Sequence, residues 1–303
     1  MAEVTVVYSP QYQIDIGTHV FPTDKYVRIA DRIRSASGVT VLEPQPASWE
    51  ELAAVHSQEY LHKLRTGDFD ISEIAQLELP WSPAVVDGFR LMTGGTLLAT
   101  RVVLEPRSAW QPVFHIGGGF HHAFANHGEG FCLFNDVAVA LRLLLDGGAI
   151  ARAAVIDLDV HHGNGTAFIF EHEPRVFTCS LHQQHNYPAF KPRGSLDVGL
   201  PDGAGDELYL EKLESSLTQV FASQPELLCY LAGADPFEDD QLGGLSLTKG
   251  GLRIRDRMVL RACVERGIPT VVLLAGGYAR RLDDTVDIHV ATFEEARAAA
   301  RVG

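Results

Sequence analysis

The chain of 303 residues is 46% apolar and 21% charged, which allows a large buried core and excludes a disordered polymer. Acidic residues outnumber lysine and arginine by 39 to 25, a formal charge of −14. A general nucleic-acid binder, which needs a basic face to displace counterions, is therefore not expected. With no run of about 18 apolar residues, a transmembrane helix is not expected either.

Met1-Ala2-Glu3-Val4 has no basic region and passes at once into an apolar run, so no secretory signal is expected. Apolar runs recur at Val4–Tyr8, Val113–Ile116, Ala153–Leu158, Val176–Leu181, Leu227–Leu231 and Thr270–Leu274. Most are Val, Ile and Leu without polar alternation, as strands covered on both faces require. Between them, 134–146 carries Val137, Leu141 and Leu144 at helical spacing before Gly147-Gly148. Residues 206–222 carry Leu208, Leu210, Leu213, Leu217 and Val220, and 250–266 predicts a third helix. Its Arg253, Arg255, Arg257 and Arg261 read as a solvated face. Buried strands alternating with helices predict an α/β fold with a mainly parallel sheet covered on both faces.

The Pro-containing stretches 42–48, 80–83 and 105–112 are short connections, and no repeat or linker divides the chain, so one domain spanning 1–303 is expected. Cys132, Cys179, Cys229 and Cys263 form no C-x-x-C pair. They read as buried free thiols in a reducing, cytoplasmic setting.

The 13 histidines matter more, because many cluster in three short stretches. Val113–Ile116 runs into Gly117-Gly118-Gly119-Phe120-His121-His122, and Ala153–Leu158 into Asp159-Val160-His161-His162-Gly163-Asn164-Gly165. Leu227–Leu231 leads to Ala232-Gly233-Ala234-Asp235, and Thr270–Leu274 to Ala275-Gly276-Gly277-Tyr278. Ligands of open parallel sheets bind beyond the carboxyl ends of the strands, so four strands converge on one edge.

If the strand continued through Asp157, Asp159 and His161, these side chains would share one side. Asp159, His161 and a later Asp235 make a three-ligand oxygen and nitrogen set that leaves a position open for water, as in catalytic zinc sites. Iron or manganese suits the same donors, and a single aspartate here would read as a turn cap. Neutral imidazole near pH 7 takes protons well, so one of His121 and His122 is a candidate base and the other its electrostatic support. Tyr278 offers a phenol for an oxyanion. Phe131 alone would read as a core aromatic.

Taken together, GGGFHHA (117–123), EGFCLFND (129–136), DLDVHHGNGT (157–166), GADPFEDDQLGGLSLT (233–248) and AGGY (275–278) resemble the histone deacetylase family of the arginase–deacetylase superfamily. The resemblance runs from Tyr8-Ser9-Pro10 to about residue 290, and implies a three-layer α/β/α domain around a sheet of about eight strands. It implies zinc on Asp159, His161 and Asp235, His122 as proton acceptor and donor, and His121 as its neighbour tied to Asp157. It pairs Asn164 with His122, gives Tyr278 the acyl carbonyl, and lines an acyl-lysine channel with Gly130, Phe131 and Tyr187. Asp157, Asp159, His161, Ser180 and Leu181 match a structural potassium site. His19-Val20-Phe21-Pro22 and Leu242-Gly243-Gly244-Leu245-Ser246 look most like class IV members and their bacterial relatives.

Two departures stand out: some relatives carry Asp where this chain has Asn164, and Ala275 replaces a common glycine. The implied activity is zinc-dependent removal of acyl groups, acetyl or longer, from lysine side chains of proteins or peptides. An acetylpolyamine amidohydrolase, acting on a small acylated amine, is the alternative on the same scaffold. A catalytically silent acyl-lysine-binding subunit is the alternative of another class. An arginase-like dimanganese site fits the paired histidines and Gly-Gly-Tyr less well.

Overall fold

Eight short segments pair into a single sheet in the order β2-β1-β3-β8-β7-β4-β5-β6, and every pairing is parallel. They are β1 (Val4–Val7), β2 (Val39–Leu42), β3 (Val113–His115), β4 (Ala153–Asp157), β5 (Val176–Gln183), β6 (Leu196–Leu200), β7 (Leu227–Leu231) and β8 (Thr270–Leu273). The computed structural model describes residues 4–106 and 109–302. The reading of Met1-Ala2-Glu3 and the part of the 105–112 connection at Arg107 and Ser108 lie outside these residues.

All the residues of β1, β3, β4, β7 and β8 are buried, because helices cover both faces of the sheet. β2 and β6 hold the two edges; they are only partly buried and have no continuous apolar run to announce them. The expected helices are found at Asp136–Asp146, Asp206–Ala222 and Lys249–Val264. In the second, Tyr209 is buried deeper than its neighbours Leu208 and Leu210. Among the described residues no helix is long and apolar enough to cross a membrane. All four cysteines are buried and free.

The 21-residue helix Pro83–Val103 begins with proline where its missing N–H costs nothing, and Ser82 Oγ accepts from Val85 N. Its interior Gly94 and Gly95 are poor helix formers, but a Cβ at Gly94 would lie 1.8 Å from the Gln45 carbonyl. One at Gly95 would lie 2.2 Å from the Tyr12 hydroxyl. Close packing against the rest of the molecule, not propensity, selects these residues.

The four strands that carry the histidines, the acids and the tyrosine are contiguous in the middle of the sheet, as β3-β8-β7-β4. The chain passes from β3 to β4 over the places later filled by β7 and β8, which leaves a crevice at the strand ends.

One reading needs correction. Helix Lys249–Val264 does not present all four arginines to solvent: Arg255 is fully buried. Its guanidinium donates to the carbonyls of Gly233 (2.6 Å) and Leu158 (3.4 Å) and pairs with buried Asp256 at 2.8 Å. Tyr230 and Thr292 hydroxyls donate to the same carboxylate. Leu252, Asp256, Val259 and Cys263 share the buried stripe, so helical spacing already put this ion pair on the core side. Arg253 and Arg257, themselves half exposed, pair with the buried carboxylate of Glu295.

Arg255→Met is expected to lower stability by about 3–5 kcal/mol, because it strands a buried carboxylate. Arg261→Ala, on the exposed side, is expected to change stability by no more than about 0.5 kcal/mol. Urea denaturation of the two variants checks the contrast.

Candidate active site

β4 stops at Asp157, so Asp159 and His161 are not on a strand as expected; they lie on the turn just after it. Backbone donors orient them there. His161 N donates to Asp159 Oδ1 (2.9 Å) and Gly276 N to Asp159 Oδ2 (2.8 Å). From the end of β7, Asp235 Oδ1 accepts from Val160 N at 2.9 Å. Its Oδ2 is buried, has no hydrogen-bond partner, and lies 3.5 Å from His161 Nδ1.

One ligand atom from each of Asp159, His161 and Asp235 falls within 4.8 Å of the other two, and all three residues are buried. Room for an ion is kept by Gly276, where a Cβ would lie 1.9 Å from Asp235 Oδ2 and 2.5 Å from Asp159 Oδ2. An orphaned carboxylate oxygen, an imidazole nitrogen and a second carboxylate fit a divalent cation and suit zinc. Burial disfavours the charge of His161, but its hydrogen bond to Asp159 and the nearby Asp235 carboxylate outweigh it and raise the pKa to about 10. Burial, then repulsion from Asp159, raises Asp235 to about 7. A cation entering this set displaces protons.

The histidine pair lies just beyond β3. Asp136, the first residue of its helix, accepts from Gly119 N (3.0 Å) and Phe120 N (2.8 Å) and so fixes the glycine-rich loop. The neighbouring Asn135 caps that helix and donates to the Ala123 carbonyl (3.1 Å). Thus the EGFCLFND stretch holds the histidine loop in place.

His121 Nδ1 meets Asp157 Oδ2 at 2.7 Å, the two Nε2 atoms of His121 and His122 are 3.0 Å apart, and His122 Nδ1 meets Asn164 Oδ1 at 2.7 Å. Burial lowers the pKa of both rings. In His121 the Asp157 and Asp159 carboxylates overcome it and raise the value to about 9. In His122 the charges on His121 and His161 add to burial, and the pKa falls well below the usual value. Two adjacent imidazoles therefore divide into a cation and a neutral acceptor.

A cavity of about 170 Å³ opens onto this group, lined by Glu78, His122, Gly130, Phe131, His161, Asn186, Tyr187, Leu242 and Tyr278. Gly130 has φ +52, and a Cβ there would lie 2.7 Å from His122 and 2.9 Å from Tyr187, so only glycine fits. The Phe131 and Tyr187 rings bound the space beside the imidazoles; Tyr187 packs edge-on to His122 at 5.0 Å between centroids. Tyr278 is held through its N–H on Asp240 Oδ2 at 2.7 Å, and burial raises its phenol pKa well above normal, so it remains a donor.

Comparison with known proteins supplies the family. The histone deacetylase domain pattern matches residues 19–293. The chain belongs to the histone deacetylase family. It is 38% identical over 301 residues to an uncharacterized protein of Picosynechococcus sp., covering 96% of this chain and 98% of that one. It is 32% identical over 308 residues to histone deacetylase 2 of Arabidopsis thaliana, covering 95% and 79%. In fold it matches the crystal structure of the HDA15 HD domain with a TM-score of 0.78 at 23% identity, over 97% of this chain and 90% of that one.

Within this histone deacetylase domain, one contributor escaped the sequence reading. Lys25 is fully buried, donates to the Ala275 carbonyl at 3.0 Å and lies 5.8 Å from the centre of the Tyr278 ring. Burial lowers its pKa to about 8 against the pull of Asp235 and Asp159. Nothing in the amphipathic segment around it marks it out. Ala275 has φ +53, a left-handed conformation that glycine adopts without strain. Ser180 pairs in register with Asp157 beside Leu181, and its Oγ meets His182 Nδ1 at 3.0 Å.

Zinc affinity is expected to rise with pH. His161 carries a proton up to about 10 in the metal-free protein, so each displaced proton gives about a tenfold gain per pH unit below that value. Titration calorimetry in buffers of different ionisation enthalpy checks it. Gly276→Ala is expected to abolish zinc retention by putting a methyl group against both carboxylates, as metal analysis after dialysis would register.

Proposed function

We propose that this histone deacetylase family domain removes acyl groups from lysine side chains by hydrolysing the amide bond with zinc bound at Asp159, His161 and Asp235. The observation that carries the reading is geometric: His122, bonded to Asn164 and in contact with the Asp157-bound His121, lines a cavity together with Tyr278 and with His161 of the buried acid–imidazole–acid set. Zinc held there supplies Lewis acidity toward the acyl oxygen and lowers the pKa of water.

The protein groups do the rest. His122 accepts the proton of the attacking water at Nε2, which the contact of Nδ1 with Asn164 leaves unprotonated and which lies 3.0 Å from His121 Nε2. The same nitrogen later returns a proton to the departing lysine amine. His121, kept cationic by Asp157, offsets negative charge developing nearby. The Tyr278 phenol donates to the carbonyl oxygen as it becomes an oxyanion. Gly130, Phe131 and Tyr187 enclose the uncharged acyl-lysine stem. Asp157, Asp159, His161, Ser180 and Leu181 would hold a structural potassium ion at the β4–β5 ends, where Asp157 pairs in register with Ser180. The class IV subgroup is proposed from His19-Val20-Phe21-Pro22 and Leu242–Ser246.

Tyr278→Phe is expected to reduce hydrolysis of an acetyl-lysine peptide by about a hundred- to a thousandfold while zinc stays bound. Asp235→Ala is expected to lose the metal itself. A panel of acetyl to long-chain acyl-lysine peptides and acetylated polyamines checks the substrate. Turnover of the polyamines alone would move the assignment to the small-amine reading, and unchanged turnover by Tyr278→Phe would remove its role.

A further inference from the structure

Asn164 can offer His122 either end of its amide. The carbonyl end forces the proton onto His122 Nδ1 and leaves Nε2, 3.0 Å from His121 Nε2, as an acceptor that can act as a base; the NH₂ end would force the opposite tautomer. The side chain of Asn164 does not settle this by itself. Its Nδ2 lies 2.7 Å from Glu129 Oε1, and its Oδ1 lies 2.7 Å from His122 Nδ1.

We propose that Glu129 is a positioning residue that sets the tautomer of His122 through Asn164. A carboxylate only accepts, so Glu129 takes the NH₂ end of the amide, the carbonyl end must face the imidazole, and Nε2 is left without a proton. The inference rests on the role of His122 proposed above.

Glu129 is built to hold this orientation. Its side chain is 14% exposed. Oε2 accepts from Gln76 Nε2 at 3.0 Å and lies 3.3 Å from His127 Nε2, which leaves Oε1 for Asn164. Burial opposes the charge of Glu129, but these donors keep its pKa below the ordinary value, and it stays an acceptor.

The arrangement also explains the asymmetry of the pair. Asp157 bonds His121 directly and makes it a cation, whereas the carboxylate serving His122 acts across a neutral amide. Orientation is transmitted without placing a full negative charge against the base. A chain with Asp in place of Asn164 fixes the tautomer directly and has no need of Glu129.

The test is a reversal of hydrogen-bond polarity. E129Q lets either amide turn over, and kcat is expected to fall about tenfold or more, with KM and zinc content unchanged. N164D sets two carboxylates against each other and is also expected to lose activity. The double variant E129Q/N164D restores a donor facing an acceptor, with an acceptor still on His122, and is expected to recover most of kcat. In zinc-loaded protein, ¹⁵N NMR of the His122 ring is expected to show the proton on Nδ1 in the wild type and the double variant, and a tautomer mixture in E129Q. Wild-type ring shifts in E129Q, or a double variant no more active than N164D, would overturn the proposal. A wild type inactive on every acylated amine would sink the proposed function instead, and the ring shifts would still decide the tautomer.

Discussion

Two aspartates and an imidazole are buried together at the ends of neighbouring strands, and the cost of removing those charges from water constrains everything around them. Three of the four carboxylate oxygens of Asp159 and Asp235 are held by backbone N–H groups, two from the turn after β4 and one from the turn after β8. The fourth, Asp235 Oδ2, is left for a cation. Such a set has to be assembled by strands that end side by side, which is what the central order β3-β8-β7-β4 provides.

Beneath this centre, the buried Arg255 ties the carbonyl of Leu158, just before the first acid, to that of Gly233, two residues before the second. A guanidinium presents several donors in one rigid plane, so a single side chain can set the distance between two turns. Its own charge is balanced by Asp256, which Tyr230 and Thr292 satisfy in turn. The −14 balance of the chain is a poor guide to its chemistry: the charges that matter are few, buried and paired with known partners.

The legible part of the protein was local. Apolar runs marked the strands covered on both faces, and the residues just beyond them could be read as a converging site, because parallel strands all deliver their next residues to the same edge of the sheet. β2 and β6 stayed silent because an edge strand needs only partial burial, and helix Pro83–Val103 because its glycines serve contacts with residues far away in sequence. Strand geometry was the wrong reason for grouping Asp157, Asp159 and His161. The strand ends at Asp157, and backbone hydrogen bonds in the turn bring the three together instead.

By itself, the sequence determined the parallel α/β architecture, the family motifs and the inventory of ligands, histidines and tyrosine. These arise from hydrophobic patterning and from contiguous residues at strand ends. Tertiary structure alone decided how the inventory is polarised: which imidazole lies against a carboxylate, which end of an amide faces His122, and which arginine is a core residue. Those outcomes depend on contacts between residues 35 positions apart for Glu129 and Asn164, and 97 apart for Leu158 and Arg255. Desolvation and donor–acceptor matching act on the distances that folding creates, and no spacing along the chain encodes them.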